Sequence, residues 1–302
     1  MRHKIPYIDN AIEILEKRYK KCDICPNQCK INRYTSIGRC KTKLELKIAS
    51  INLHKGEEPP ISGIYGSGTV FFSNCISSCV YCQNFPISQF SIGKIWSYEE
   101  FAKKLIILQK RKAHNINLVT PTHQILQFLY GYRLAIKNRL SLPLVYNTFG
   151  YEKEDFIEIL NNIVDIFLWD IRYFNNNNAL KYSKVKDYLN YNIEALKIAY
   201  KNVGDLVLSK DNIAIKGLII RLLVLPNNIS GTKEILRLIK QEIGNNVYIS
   251  LLNQYFPAYK AFNYPELSRK ITRKEYEEVL EELFKLGFNN GWLQEFNLEG
   301  GC

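Results

Sequence analysis

Cys75, Cys79 and Cys82 lie in the run Cys75-Ile-Ser-Ser-Cys79-Val-Tyr-Cys82, a CxxxCxxC triplet just after the apolar stretch Thr69-Val-Phe-Phe72. Three thiolates on one short loop can hold three corners of a cubane iron–sulfur cluster, and a 4Fe–4S cluster normally takes four thiolates. After Cys82 there is no further cysteine until Cys302, the last residue. The loop itself therefore leaves the fourth iron without a protein ligand, open to a small molecule. A zinc site would want a fourth ligand, and Gln83, Asn84 and Phe85 offer no good one. A disulfide framework is disfavoured, because a chain of 302 residues can bury a large core without staples and its first residues show no secretory signal.

A second set of thiols precedes the first. Cys22, Cys25, Cys29 and Cys40 place four cysteines within 19 residues, which is ligand density rather than core packing. A four-thiolate zinc site and a second iron–sulfur cluster are both satisfied by this set, and CxxC is common to both. Cys302 is read as a free thiol at the end of the chain.

Other segments extend the pattern. They include Glu57-Glu-Pro-Pro-Ile-Ser-Gly63, Gly66-Ser-Gly68, Cys82-Gln-Asn84 and Asn115-Ile-Asn-Leu-Val-Thr-Pro-Thr-His123. Tyr146-Asn-Thr148, Ile219-Ile-Arg-Leu-Leu-Val-Leu-Pro226, Ser250-Leu-Leu-Asn-Gln-Tyr255 and Trp292-Leu-Gln294 follow. With the triplet, these resemble the radical S-adenosylmethionine proteins related to the pyruvate formate-lyase activating enzyme, in an uncharacterised branch with an extra cysteine-rich N-terminus. The resemblance runs from about Cys22 to Trp292, and Tyr81 stands where that superfamily carries an aromatic residue before the third cysteine.

The resemblance implies a 4Fe–4S cluster on Cys75, Cys79 and Cys82 and S-adenosyl-L-methionine chelated at the open iron. It implies reductive cleavage to methionine and a 5′-deoxyadenosyl radical, which abstracts hydrogen from a substrate, an oxidoreductase chemistry carried by the cofactor. Asn147 and Thr148 match positions for polar contacts to the cofactor. Asp170 and Arg172 resemble an Asp-x-Lys pair, with Arg in place of Lys. Arg221, alone in an apolar strand, needs either a ligand carboxylate or an internal acid. One departure concerns the Gly-Gly-Glu that activating enzymes carry after the second strand. The matching stretch here is Asn117-Leu-Val-Thr120-Pro-Thr-His123, where Asn117 and Thr120 supply hydrogen bonds but no charge. His123 is either a polar first-turn residue or a proton donor or acceptor on the catalytic face. Glu57 and Glu58 either line the site or are exposed. Gln254 and Tyr255 face the substrate or pack at the rim.

These residues need a scaffold that gathers them. Six apolar strands alternate with helices: Thr69–Asn74, Asn115–Val119, Pro143–Asn147, Ile163–Asp170, Ala214–Val224 and Asn246–Leu252. That order predicts an α/β fold, a partial (β/α)6 TIM-like barrel, with chemistry at the C-terminal ends of its strands. Ser97-Tyr-Glu-Glu100 is a capping box, Thr122 is placed to cap the next helix, and the run Asn175–Asn178 reads as a loop tip. A last helix from about Arg273 to Leu286 shows Tyr276, Val279, Leu280, Leu283 and Phe284 on one face. The expected division is a small cysteine-rich metal-binding module over 1–62, the barrel over 63–256 and a helical extension over 257–302.

Hydrophobic residues make up 46% of the chain, enough for a globular core, and no apolar stretch has the length to span a bilayer. A cytoplasmic protein is expected, with no membrane partner. Residues 1–50 hold 12 Lys or Arg against 5 Asp or Glu, yet carry no spaced aromatics of an RNA-binding signature, so a nucleic-acid partner is disfavoured. The expected partners are a protein or small-molecule substrate and a reductant such as flavodoxin or ferredoxin. Activation of a glycyl-radical enzyme is the leading reading. The alternatives are a radical enzyme acting on a small molecule or another macromolecule, and an iron–sulfur electron-transfer or binding protein.

Overall fold

The computed structural model describes residues 1–296; Cys302 lies outside the described residues. Among the described residues ten strands form the sheet framework: β1 Leu46–His54, β2 Ser67–Phe72, β3 Lys94–Trp96, β4 Ile116–Val119, β5 Leu144–Thr148, β6 Ile166–Asp170, β7 Val207–Leu208, β8 Ala214–Leu223, β9 Tyr248–Leu252 and β10 Gly291–Leu293. The helices are α1 Ile5–Tyr19, α2 Pro59–Ser62, α3 Phe85–Ser88, α4 Tyr98–Lys110, α5 Ile125–Lys137, α6 Glu154–Ile159, α7 Asn176–Ser183, α8 Tyr188–Val203, α9 Thr232–Glu242 and α10 Arg273–Lys285.

β2, β4, β5, β6, β8 and β9 pair in parallel in that order, so all six expected strands are present and adjacent. A seventh parallel strand, β10, adds to β9, and β1 and β3 extend the other edge antiparallel. Parallel neighbours need crossovers, and a helix fills each of them. Alternation along the strands sends one face to these helices and the other inward. Tyr146, Phe167, Trp169 and Ile220 join the helix-side core, whereas Val145, Leu168 and Ile219 form a separate inner cluster with Ile61. Inner side chains of β4, β5, β6 and β8 converge on one charged network (below). Four flat strands would spread them across about 14 Å. The sheet is curled into a partial barrel.

The segment 1–62 shares this body. β1 pairs with β2 from Ile48↔Phe72 to His54↔Ser67, and Ile8, Ala11, Leu15 and Tyr19 of α1 are buried in the main core. Lys4, 2% exposed, donates to Ile163 O and sits 2.5 Å from Asp165 Oδ2, fastening the N-terminal arm under the β6 end of the sheet.

Local expectations met mixed outcomes. Ser97 forms its capping box on α4, with Glu100 N donating to Ser97 Oγ. Thr122 caps nothing; α5 is preceded by a 3-10 turn, and the Thr122 hydroxyl turns instead to Glu152 Oε1 at 2.7 Å. The asparagine run begins a helix rather than a loop tip, because Asn175 Oδ1 accepts from Asn177 N and caps α7. On α10 Tyr276, Val279 and Leu283 are buried but Phe284 is 56% exposed, so it leaves the predicted apolar face.

Candidate functional site

Leaving β2, the chain turns at Asn74, whose φ of 72° opens the loop that carries Cys75, Cys79 and Cys82. All three are free thiols. Hydroxyls surround their sulfurs: Ser77 Oγ lies 3.3 Å from Cys75 and 3.5 Å from Cys79, Ser183 Oγ donates to Cys79 at 3.0 Å, and Ser88 Oγ is 3.2 Å from Cys82. The enclosing protein by itself pushes the Cys75 and Cys79 thiols up to about 11 and raises Cys82 as well. A metal reverses that order, since it binds the thiolate and expels the proton.

Inside the barrel mouth the predicted polar residues meet around Arg221, which points inward from β8. Its Nε donates to Asp170 Oδ1 at 2.7 Å, its Nη2 to Asn147 Oδ1 at 2.6 Å and its Nη1 to Glu57 Oε2 at 3.2 Å. Glu57 Oε1 accepts from Asn117 Nδ2 at 2.9 Å, and Glu58 stands 3.9 Å from Arg221. Arg172 reaches back to Asp170 Oδ2 from Nη2 at 2.6 Å and from Nε at 3.1 Å. The partner that Arg221 requires is thus a set of internal acids. Between two guanidiniums, the Asp170 carboxyl is held below the usual carboxylate range despite its burial. Burial raises Glu57, with Arg221 opposing the shift. Arg172 also lies close enough to Cys79 and Cys82 for its charge to favour their thiolates. Two acceptors in the cluster are idle: Glu58 Oε2 and Asn117 Oδ1 are buried without a partner.

Not every predicted residue joins. Thr148 follows Asn147 on β5, so alternation turns it to the helix side. There its hydroxyl donates to Glu152 Oε1 at 2.6 Å and accepts from Gly150 N. Thr120 takes a left-handed turn, φ 49°, with its amide on Asn147 O, and its side chain makes no hydrogen bond with the polar cluster. His123 is buried away from the barrel mouth: Nε2 contacts Ser73 O at 2.8 Å, and burial drops its pKa to about 4. Tyr255 packs at the rim, its hydroxyl on Leu267 O at 2.6 Å, and Gln254 Oε1 accepts from Gln294. Tyr81 is buried between Tyr173 and Tyr255 in edge-on contact, its hydroxyl without a partner.

Sequence reasoning passed over Ser77, Ser88 and Ser183, which no neighbouring residue sets apart from serines on a surface. It also passed over Glu152, whose carboxyl is fully buried, accepts from Thr122, Tyr146 and Thr148, and is pushed up to about 7 by desolvation. A glutamate four residues past a strand end gives no sequence signal of that burial.

No protein-family model matches the chain. The uncharacterized protein MJ0674 of Methanocaldococcus jannaschii is 32% identical over 287 residues, covering 91% of this chain and 77% of the relative. The chain belongs to the family of that archaeal protein. Among solved structures, HydG, a maturase of the [FeFe]-hydrogenase, aligns at a TM-score of 0.51 and 12% identity over 73% of this chain and 48% of its own. HydG from Carboxydothermus hydrogenoformans aligns at 0.50 and 14%, over 73% of this chain and 50% of its own. The chain spans about half the length of these structures. At such identity the likeness is one of fold, and this chain thereby shares a barrel architecture with the maturases. No helix among the described residues is long and apolar enough to cross a membrane.

Proposed function

We propose that this protein is a radical S-adenosylmethionine enzyme. The observation that carries the reading is the loop after β2: three free thiols, each sulfur beside a hydroxyl, open onto a barrel mouth that already gathers two arginines and several acids. The donor set fits a 4Fe–4S cluster with one iron unligated by protein. When bound, the reduced cluster supplies the electron that splits S-adenosylmethionine into methionine and the 5′-deoxyadenosyl radical.

The chain's own residues bind and orient. Arg172, between Asp170 and the cysteine loop, is the cation for the methionyl carboxylate. Glu57 and Glu58 stand in for the acid missing from the Asn117–His123 stretch. The idle Glu58 Oε2 and Asn117 Oδ1 are acceptors for the methionyl amine or the ribose hydroxyls. Asn147 and Asp170 hold Arg221 in place from two strands. Tyr81, Tyr173 and Tyr255 wall the mouth and exclude water. A flavodoxin or ferredoxin is the proposed reductant. The finer reading is hydrogen abstraction from a polypeptide glycine, as glycyl-radical activating enzymes perform it; its support is the sequence resemblance.

Anaerobically reconstituted, reduced protein should change its EPR spectrum on addition of S-adenosylmethionine and release 5′-deoxyadenosine, read by chromatography. A confirmed reduced cluster with no 5′-deoxyadenosine above a no-enzyme control would sink the proposal. The finer reading is tested by adding a glycyl-radical enzyme and looking for its EPR doublet.

A further inference from the structure

An internal cavity lies against the other side of the cysteine loop. Cys22, Cys25, Cys29 and Cys40 line it together with Arg33 and His123, and Ile76, the residue after Cys75, closes it on the loop side. We propose that these four cysteines hold a second 4Fe–4S cluster, separated from the Cys75 loop by Ile76. This site does not depend on the radical chemistry proposed above.

The local fold presents the sulfurs. Cys22 N donates to Ile31 O and Lys30 N to Cys22 O, both at 2.7 Å, so the segment 22–31 closes on itself. Left-handed turns at Gln28 and Lys30, φ 40° and 54°, let it do so within a few residues. Arg39 N donates to Cys29 Sγ at 3.5 Å. Gly38 sits between two of the sulfurs: a Cβ there would stand 3.6 Å from Cys29 Sγ and 3.7 Å from Cys40 Sγ, inside the cavity.

An independent observation says that the cavity expects an anion. Arg33 is 0% exposed. Its Nη2 donates to Lys43 O and His123 O at 2.8 Å, and its guanidinium lies 4.4 Å over the Tyr19 ring, but Nε and Nη1 have no partner. A buried cation with idle donors is costly unless a negative group faces it. The groups nearest Arg33 that can carry negative charge are Tyr19 and the thiols of Cys40 and Cys22. Four thiolates around a 4Fe–4S core form a net anion and supply what Arg33 lacks. His123 Nδ1, also unpartnered, lines the same space.

All four cysteines line one cavity. The alternative occupant is zinc, which draws four sulfurs to about 2.3 Å from one point, and the metal analysis below separates the two. The loops are also tied: Asn27 Nδ2 donates to Ile76 O at 2.8 Å and Asn74 Nδ2 to Lys41 O at 3.2 Å.

The test is elemental analysis of the full chain carrying Cys75→Ala, Cys79→Ala and Cys82→Ala, purified and reconstituted without oxygen. About four iron and four sulfide per chain are expected, with a cluster signature by Mössbauer spectroscopy. Adding Cys40→Ser to this variant should lower iron at least two-fold. About one zinc per chain, or neither metal in a folded protein, would overturn the proposal, as would iron indifferent to Cys40→Ser. If the triple variant does not fold, the unaltered protein decides: about eight iron per chain supports two clusters and about four refutes the second. No S-adenosylmethionine cleavage by the unaltered protein with both iron sets in place would count against the radical reading alone.

Discussion

Asp170→Asn isolates the electrostatics of the barrel mouth. The substitution keeps the shape of the side chain and removes its charge. Asp170 is 5% exposed and accepts three hydrogen bonds from two guanidiniums, at 2.7, 2.6 and 3.1 Å. Asparagine leaves Arg172 and Arg221 facing each other with one neutral acceptor between them. Breaking a buried pair by removing one partner typically costs about 3–5 kcal/mol. For a chain of this size each kcal/mol moves Tm by roughly 1.5 °C, so a fall of about 5–8 °C is expected. Thermal unfolding followed by circular dichroism at pH 7 reads it. The pH dependence carries the sign. The folded-state pKa of Asp170 is depressed. Its contribution is therefore full above the unfolded value of about 4 and fades as pH falls through the lower folded value. The gap between the two proteins should close in acid. A Tm difference under about 1 °C at pH 7 would mean that the network contributes little to folding, and the reasoning would fail.

Glu152→Gln should act in the opposite sense. Glu152 is raised to about 7 in the fold, so the carboxyl stabilises most below about 4 and imposes a growing cost as pH rises toward 7. The glutamine carbonyl can still accept from Thr122, Tyr146 and Thr148, and at pH 8 the variant should melt higher than the parent while matching it at pH 4. Lys4→Met should lower stability by about 1–3 kcal/mol in denaturant titration, since Asp165 keeps Leu144 N as a donor but loses its cation. Gly38→Val should cut iron retained by the triple Cys75, Cys79 and Cys82 variant by at least half while leaving far-ultraviolet circular dichroism unchanged, because the added side chain enters the space between Cys29 and Cys40.

The six parallel strands were legible because each is an apolar run of strand length between turn residues, and burial on both faces is what such runs report. β1 was not. Its sequence, Leu46-Lys-Ile-Ala-Ser-Ile-Asn-Leu-His54, mixes polar and apolar positions, as an antiparallel strand near a sheet edge can. β10 has three residues and no periodicity to read. Asn147, Asp170 and Arg172 were singled out at strand ends, Arg221 as a lone charge in an apolar strand and Asn117 through the family resemblance, and the structure brings the five together. Thr148 was grouped with Asn147 by adjacency, which a strand forbids, since successive side chains take opposite faces. Arg33 stayed hidden for a different reason. Nothing in Lys30-Ile-Asn-Arg33 distinguishes it from a surface arginine, and its burial depends on Tyr19, Lys43 and His123 arriving from elsewhere in the chain.

The order of strands across the sheet has a consequence for how the protein is made. From β2 to β10 along the parallel ladder, each strand lies beside the one that precedes it in synthesis. A growing chain can therefore add one β–helix unit at a time to an edge already in place, with no strand waiting for a partner yet to be translated. The exception is α1, which packs on α5 more than a hundred residues later. Until α5 emerges, the cysteine segment behind α1 has no floor to rest on. On the second-cluster proposal, the metal would enter before the two helices meet.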